Sequence, residues 1–150
     1  LSIIVEEHIL LAAGFKSLEN LMNRLSPLDA DKEIKHVGKI PVISELISDY
    51  FDGNLNAFNP IKVRQPGAKF SQEVWKVMRK IPAGKTLSYA ELAKRAGSAD
   101  AIRAAGTACG NNLIAPIIPC HRIIKSGGVL GNYGYGIKVK EWLLTHEGAF

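Results

Sequence analysis

Apolar residues gather in β-branched runs at the start of the chain and at helical spacing further on, so the two halves predict different elements. Leu1 to Phe15 is rich in Ile, Val, Leu and Ala, is punctuated by Gly14, and reads as one or two strands. Leu18 to Leu25 has the pattern of a short helix. Ser26 to Pro41 mixes charges with Gly38 and two prolines and reads as loop. Between Pro41 and Gly53, Val42, Leu46, Ile47 and Tyr50 recur at helical spacing, with Pro at the start and Gly at the end of about three turns. Ile61 to Val63 alternates as a short strand before the Pro66–Gly67 break.

Beyond that break the period is mostly helical. Ser71 to Lys80 puts Val74, Trp75, Val77 and Met78 on one stripe behind a capping serine, and Ile81-Pro-Ala-Gly84 ends it. Ser88 caps the next helix with Glu91 in the capping-box position, Leu92 and Ala93 supply its apolar face, and Gly97 stops it. A third helix, about Ala99 to Gly110, is built from small residues, with Arg103 as its one long cation. Its Ala101, Ala104, Ala105 and Ala108 suit either tight packing in the core or close approach to an outside surface. Two short helices joined at Gly97 form a helix-turn-helix signature. The expected fold is α+β: a small strand-and-helix sub-domain over residues 1–66, then a mostly helical sub-domain over 67–150 with a winged-helix-like helix-turn-helix.

Charge sharpens this division. Residues 1–66 hold seven Lys/Arg and nine Asp/Glu, a net of −2, whereas 67–150 hold twelve and five, a net of +7. A basic segment of that size collects polyanions, or else it is simply a solvated face. At 150 residues, 47% hydrophobic and 22% charged, the chain is neither a disordered tail, a collagen nor a disulfide scaffold. No apolar run reaches the roughly 18 residues of a membrane helix. Leu1 to Leu11 carries Glu6, Glu7 and His8 where a signal peptide has an uninterrupted apolar middle, so an intracellular location is expected. Two cysteines without a CxxC and four scattered histidines give no metal-ligand spacing, and no metal is expected.

Candidate chemistry centres on Pro119-Cys120-His121-Arg122, which follows the apolar, strand-like run Ile114 to Ile118. Burial raises a thiol pKa from about 8.5, and a neighbouring cation or base lowers it. His121 is adjacent and Arg122 adds positive charge. In an extended chain consecutive side chains point apart, so His121 reaches the thiol through a water or a bend. A base works best when a third group orients it, and Glu147 is one of only five acids in the basic half. The same residues also fit an inert, buried thiol.

Ile118-Pro-Cys-His-Arg122, Ile81-Pro-Ala-Gly-Lys85, Ser88-Tyr89, Arg103-Ala104, Asn112, Gly131-Asn-Tyr133 and Trp142-Leu-Leu-Thr-His-Glu147 occur in order between Phe70 and Gly148. That set resembles the O6-alkylguanine-DNA alkyltransferase family over about half the chain; the first 66 residues resemble the family's variable N-terminal part only loosely. The resemblance implies a repair protein that binds double-stranded DNA through the minor groove as a monomer. It would flip out O6-alkylguanine (and O4-alkylthymine) and move the alkyl group irreversibly to Cys120, without a cofactor, in the cytoplasm or, in a eukaryote, the nucleus. It implies that His121 activates Cys120 through water, that Glu147 orients His121, and that Asn112 holds the cysteine loop. Tyr89 would push on the target phosphate and donate to the departing guanine. Arg103 would fill the vacated stack, Ala104 would keep its helix close to the duplex, and Ser98 and Ser126 would touch the backbone. Tyr133, Gly134 and the carbonyls of Cys120 and Ile123 would address the base.

Three positions depart from the family pattern. Tyr135 is bulky where many relatives are small, so benzyl-sized adducts are expected to fit less well than methyl. Gly110 stands where some relatives have a basic residue, which implies modest DNA affinity. Cys109 is off the nucleophile position and reads as packing. Among other functions, an alkyltransferase-like damage-recognition protein would lack the thiol that this chain has at position 120. A fused regulator would need a zinc-binding cysteine cluster, and a cysteine hydrolase an oxyanion hole that no residue here marks.

Overall fold

A computed structural model describes all 150 residues. β1 (Ser2–Glu6) and β2 (Ile9–Gly14) form an antiparallel hairpin, and β3 (Lys62–Val63) adds in parallel to β2, giving the order β1-β2-β3. α1 (Leu18–Arg24) starts where the Ser17 hydroxyl accepts from the Asn20 backbone N–H. A one-turn helix, α2 (Pro27–Ala30), lies where the composition predicts only loop. Ser26 caps it, and Pro27 occupies a first-turn position that has no use for an N–H. α3 (Ile43–Phe51) buries Ile43, Ile47 and Tyr50. Val42, placed on its apolar face by spacing, instead precedes the helix, exposed and at φ +69°; the buried stripe begins one residue later, at Ile43.

The second half is helical with one small sheet. α4 (Lys69–Arg79) begins two residues before Ser71, which therefore lies inside the helix rather than capping it. β4 (Leu87–Ser88) leads directly into α5 (Tyr89–Arg95), whose first free N–H groups include that of Glu91, accepted by the Ser88 hydroxyl. The reciprocal half of the capping box is absent, because the Glu91 carboxylate pairs with Arg95 one turn on. Gly97 ends the helix at φ +106°, a conformation that a Cβ disfavours. α6 (Ile102–Gly110) starts three residues later than expected, since Ala101 closes a turn onto the Ser98 carbonyl first. α6 packs on both α4 and α5.

The run Ile114 to Ile118 is not a strand. Ile114 makes a single parallel bridge with Ala13, and the chain then turns, Ile118 N–H onto Ile114 and Cys120 N–H onto Ile118. Pro116 and Pro119 lack the N–H groups that a continued ladder needs. Cys120–Arg122 form a 3-10 turn, followed by β5 (Ile123–Ile124), which pairs in parallel with β4. α7 (Ile137–His146) closes the fold. Its apolar pattern is weak because Ile137 and Trp142 face out and a lysine, Lys140, sits on the inner face with Leu143 and Leu144.

One core of 21 buried apolar residues runs through both halves, from Leu10, Ile47 and Tyr50 to Trp75, Leu92, Ile118 and Leu143. Each fully buried side chain of this size adds about 1.5–3 kcal/mol. The N-terminal sheet is therefore packed into the same interior as the helices that carry the cysteine. Its β2 holds the segment after Asn112 directly, through Ala13 N–H to the Leu113 carbonyl at 2.8 Å.

Candidate active site

The 3-10 turn sets the local geometry. It bends the backbone at Cys120, so His121 and Arg122 both point inward, fully buried or nearly so. Both meet Glu147, the residue that caps the C-terminus of α7. His121 Nε2 lies 2.9 Å from Glu147 Oε2. Arg122 forks onto the same carboxylate, Nε to Oε1 at 2.9 Å and Nη2 to Oε2 at 2.8 Å, and its Nη1 donates to the Ile81 carbonyl. Tyr50 of α3 donates its hydroxyl to Oε2 at 2.7 Å. The charge of Arg122 is thus spent on Glu147 rather than on the thiol, correcting the expectation from its proximity in sequence.

These contacts decide protonation. Burial by itself pushes the Glu147 carboxyl up, but the hydrogen bonds from His121 and Arg122 and their charges bring it down to about 2. Burial lowers the His121 value below 6.5, against the opposing bond and charge of Glu147. The ring is therefore neutral near pH 7. Donation from Nε2 to the carboxylate leaves Nδ1 as a lone-pair acceptor, and no protein group bonds to it.

Both groups make the fold acid-sensitive. The folded His121 value lies below the unfolded one, so this stabilisation is complete above pH 6.5 and declines as the unfolded chain takes up a proton below it. Glu147 adds stability that is complete above its unfolded 4.5 and is lost as the pH falls towards about 2. The thermal midpoint is expected to drop between about pH 7.5 and pH 5.5, and further by about pH 4. A constant midpoint over that range would contradict the neutral, buried assignment of His121.

Asn112 Nδ2 donates to the Cys120 sulfur at 3.3 Å and to the Ile118 carbonyl at 2.8 Å. Burial raises the thiol, while the Asn112 bond and the charge of Lys140 lower it. Lys140 is fully buried, its ammonium held by the carbonyls of Ile123 at 2.6 Å and Asn132 at 3.2 Å. Desolvation depresses its value, and the two cysteines oppose that. The pairing of β4 with β5 brings Tyr89, the first residue of α5, beside the chain that follows Cys120. Desolvation, then Cys109 and Cys120, push its phenol up to about 12.

The other residues singled out by sequence divide by location. Arg103 and Ala104 are exposed on α6, and Ser98 lies part-exposed in the turn before it. Ala105 and Ala108 face the core, where the Ala108 carbonyl accepts from the Trp75 indole at 2.9 Å, so the small residues serve both faces of this helix. Ser126 is exposed in the loop after β5. Ile123 is buried on β5, and Gly134 is exposed. Tyr133 and Tyr135 lie edge-to-face at 5.6 Å. Tyr135 seats on β2: a Cβ added to Gly14 would stand 2.0 Å from its hydroxyl oxygen, and Phe15 meets its ring at 5.4 Å. Cys109 is half-buried, and its thiol is pushed up by burial and by Cys120. No three His, Cys, Asp or Glu side chains converge as metal ligands would.

Three polar side chains at this site escaped sequence reading: Tyr50, Lys140 and Gln65, the last bonded to Asn112 at 3.3 Å. The only available signal was a lysine at an apolar helical position, and helical period alone cannot say what it meets.

A family model described as 6-O-methylguanine DNA methyltransferase, DNA binding domain, matches residues 69–149. A methylated-DNA–protein-cysteine methyltransferase of Shigella flexneri is 42% identical over 106 residues, 71% of this chain and 62% of that protein. A protein of the same description from Methanosarcina acetivorans is also 42% identical, over 71% of this chain and 67% of its own length. The chain thus spans somewhat less than two thirds of the length of the Shigella relative. The crystal structure of Mycobacterium tuberculosis OGT in complex with DNA superposes with a TM-score of 0.78 at 33% identity, over 98% of this chain and 85% of that one. The chain belongs to the 6-O-methylguanine DNA methyltransferase family, and residues 69–149 are its match to that family's DNA-binding domain.

Proposed function

We propose that the protein repairs DNA by direct reversal, taking an alkyl group from O6 of guanine, and from O4 of thymine, onto Cys120. The observation that carries this reading is a half-buried thiol touching Asn112, next in sequence to a neutral histidine held by a buried glutamate, near a helix whose outer face is Arg103 and Ala104. In this reading residues 67–150 bind DNA and accept the alkyl group, and residues 1–66 support them.

The chemistry balances without a cofactor. The Cys120 proton passes through a water to His121 Nδ1, and Glu147 stabilises the imidazolium that forms. The thiolate attacks the alkyl carbon in line; the S–C bond forms and the C–O6 bond breaks, its electron pair staying with guanine. Guanine takes a proton from Tyr89 and leaves neutral, and the proton on His121 restores the phenol. A base inside the stack cannot present its alkyl carbon for in-line attack by a half-buried thiol, so the nucleotide must leave the duplex. Arg103 fills the vacated stack while Ala104 lets α6 enter a minor groove about 6 Å wide. Ser98 and Ser126 contact phosphates without reading sequence. Tyr133, Gly134 and the carbonyls of Cys120 and Ile123 hold the extruded base. The protein acts as a monomer, in the compartment that holds DNA.

Intact-protein mass after mixing with a duplex containing one O6-methylguanine tests the reading. One methyl group per protein, mapped to Cys120, is expected. An unchanged mass with tight binding to that duplex would replace transfer by damage recognition alone.

Two substitutions probe the parts. Arg103→Ala is expected to slow transfer from duplex DNA by about tenfold to a hundredfold, because unstacking costs a few kcal/mol, while reaction with the free base stays nearly unchanged. Equal losses on both substrates would contradict the finger role. Tyr135→Gly is expected to speed reaction with O6-benzylguanine relative to O6-methylguanine. Its ring, braced by Gly14 and Phe15, cannot swing away from the pocket wall without leaving that contact. No relative gain on the benzyl substrate would remove Tyr135 from the pocket.

A further inference from the structure

Gln65 lies just after β3, in the segment that joins the two halves, yet it is buried. Both ends of its side-chain amide and its backbone carbonyl are used. Its backbone carbonyl accepts from Gln72 Nε2 on α4. Its side-chain Oε1 accepts from the Leu113 backbone N–H at 2.5 Å, and its Nε2 donates to Asn112 Oδ1 at 3.3 Å. These bonds settle which way the Gln65 amide points, since a reversed amide would set an N–H against the N–H of Leu113.

Asn112 is fixed in the same way, one residue further in. Asn112 Oδ1 accepts from Gln65 Nε2 and from the Ile114 backbone N–H at 3.0 Å. Its Nδ2 donates to the Ile118 carbonyl and to the Cys120 sulfur. Turning the Asn112 amide over would lose both acceptor contacts and present an oxygen to the sulfur. We propose that Gln65 is a positioning residue which, with Ile114, locks the Asn112 amide so that its N–H faces the Cys120 sulfur. The line Leu113 N–H, Gln65, Asn112, Cys120 is a chain of oriented dipoles, each polarising the next towards the thiolate. A donor held on the sulfur favours its charged form and so lowers the pH at which the thiol reacts.

Gln65 itself carries no charge. The titratable groups that face Cys120 are Lys140 from α7, Cys109 from α6, Tyr89 from α5, and Tyr133 and Tyr135 from the loop before α7. His121 adjoins it in the turn. None of these bonds to Gln65, so its removal acts on the sulfur through Asn112. The inference rests on the alkyl-transfer reading only for its consequence on DNA; its consequence for the thiol stands alone.

The test is the pH dependence of Cys120 alkylation by iodoacetamide, located by peptide mass, in the full chain. Gln65→Met, close in volume, is expected to raise the midpoint by about half to one pH unit, which slows the reaction about threefold to tenfold below the midpoint. Gln65→Glu is expected to raise it more, because a carboxylate oxygen facing Asn112 Oδ1 favours the reversed amide. In an Asn112→Ala background, Gln65→Met should add no further shift. An unchanged midpoint, or the same shift with and without Asn112, would overturn the proposal. If Gln65→Met does not fold, Gln65→Leu, equally uncharged, compared with and without Asn112, decides the question in the same way. Methyl transfer from duplex DNA is measured alongside. A wild-type protein that takes no methyl group, yet whose thiol responds to Gln65 through Asn112, would overturn the transfer reading and support this inference.

Discussion

Glu147→Leu is expected to lose transfer and to destabilise the fold by about 3–5 kcal/mol, the usual effect of removing one partner of a buried ion pair. The Glu147 side chain is wholly buried, and Arg122 beside it is 8% exposed. Leucine leaves the Arg122 guanidinium with the Ile81 carbonyl as its one remaining acceptor and strips the Tyr50 hydroxyl and His121 Nε2 of theirs. Each orphaned neutral donor adds about 1–3 kcal/mol if it finds no other partner. Domains of this kind are stable by about 5–15 kcal/mol, so the variant is expected to sit near its unfolding threshold at ambient temperature. Urea unfolding measures this. Arg122→Met combined with Glu147→Leu should recover part of the loss, because the stranded charge is then gone. A single variant within about 1 kcal/mol of the parent, a change typical of surface sites, would mean that the carboxylate is not the shared anchor of this cluster.

The second large effect is Cys120→Ser. A serine hydroxyl at this site lacks both the acidity and the polarisability of a thiol, so methyl uptake should fall by at least about a thousandfold. Stability should change by only about 1 kcal/mol, since Asn112 Nδ2 still finds an acceptor and the volume barely alters. Binding to a duplex with O6-methylguanine should persist, and fluorescence anisotropy with that duplex measures it. The decisive comparison is mass: no methyl group on the serine variant, one on the parent. Methylation of the variant at Cys109 would shift the nucleophile to α6. Burial and Cys120 both hold the Cys109 thiol up, which argues against that outcome.

Elements whose causes are local were legible in the chain. Ser88 caps α5 within three residues, and Gly97 stops it. The stripe Val74, Trp75, Met78 repeats with the helix and is buried. Elements that depend on neighbours distant in sequence were not. Ile114 to Ile118 has the composition of a strand, but two prolines and a single bridge to Ala13 leave it as turns. The alanines of α6 suited either core packing or close approach to an outside surface, and both hold: Ala105 and Ala108 point into the core and Ala104 out. A repeat of 100° per residue divides small side chains between two faces, and composition alone does not assign the faces.

Cys120, His121 and Glu147 were legible because residue type, order and the resemblance to a known family name them. The bonds among them were not. His121 and Arg122 are adjacent in the chain, and only the 3-10 turn sends both onto one carboxylate 25 and 26 residues away. Tyr50 reaches that carboxylate across 97 residues, and Gln65 reaches Asn112 across 47. Period, capping and punctuation act over a few residues, through backbone geometry that every chain shares, so most of the helices, the Ser88 cap and the candidate nucleophile were legible in the order of the residues. Which donor faces which acceptor inside a dry core depends on how the elements pack. That packing alone decided that Glu147 is shared by three donor residues, that Lys140 rather than Arg122 is the cation near the thiol, and that an amide from the joining segment stands behind Asn112.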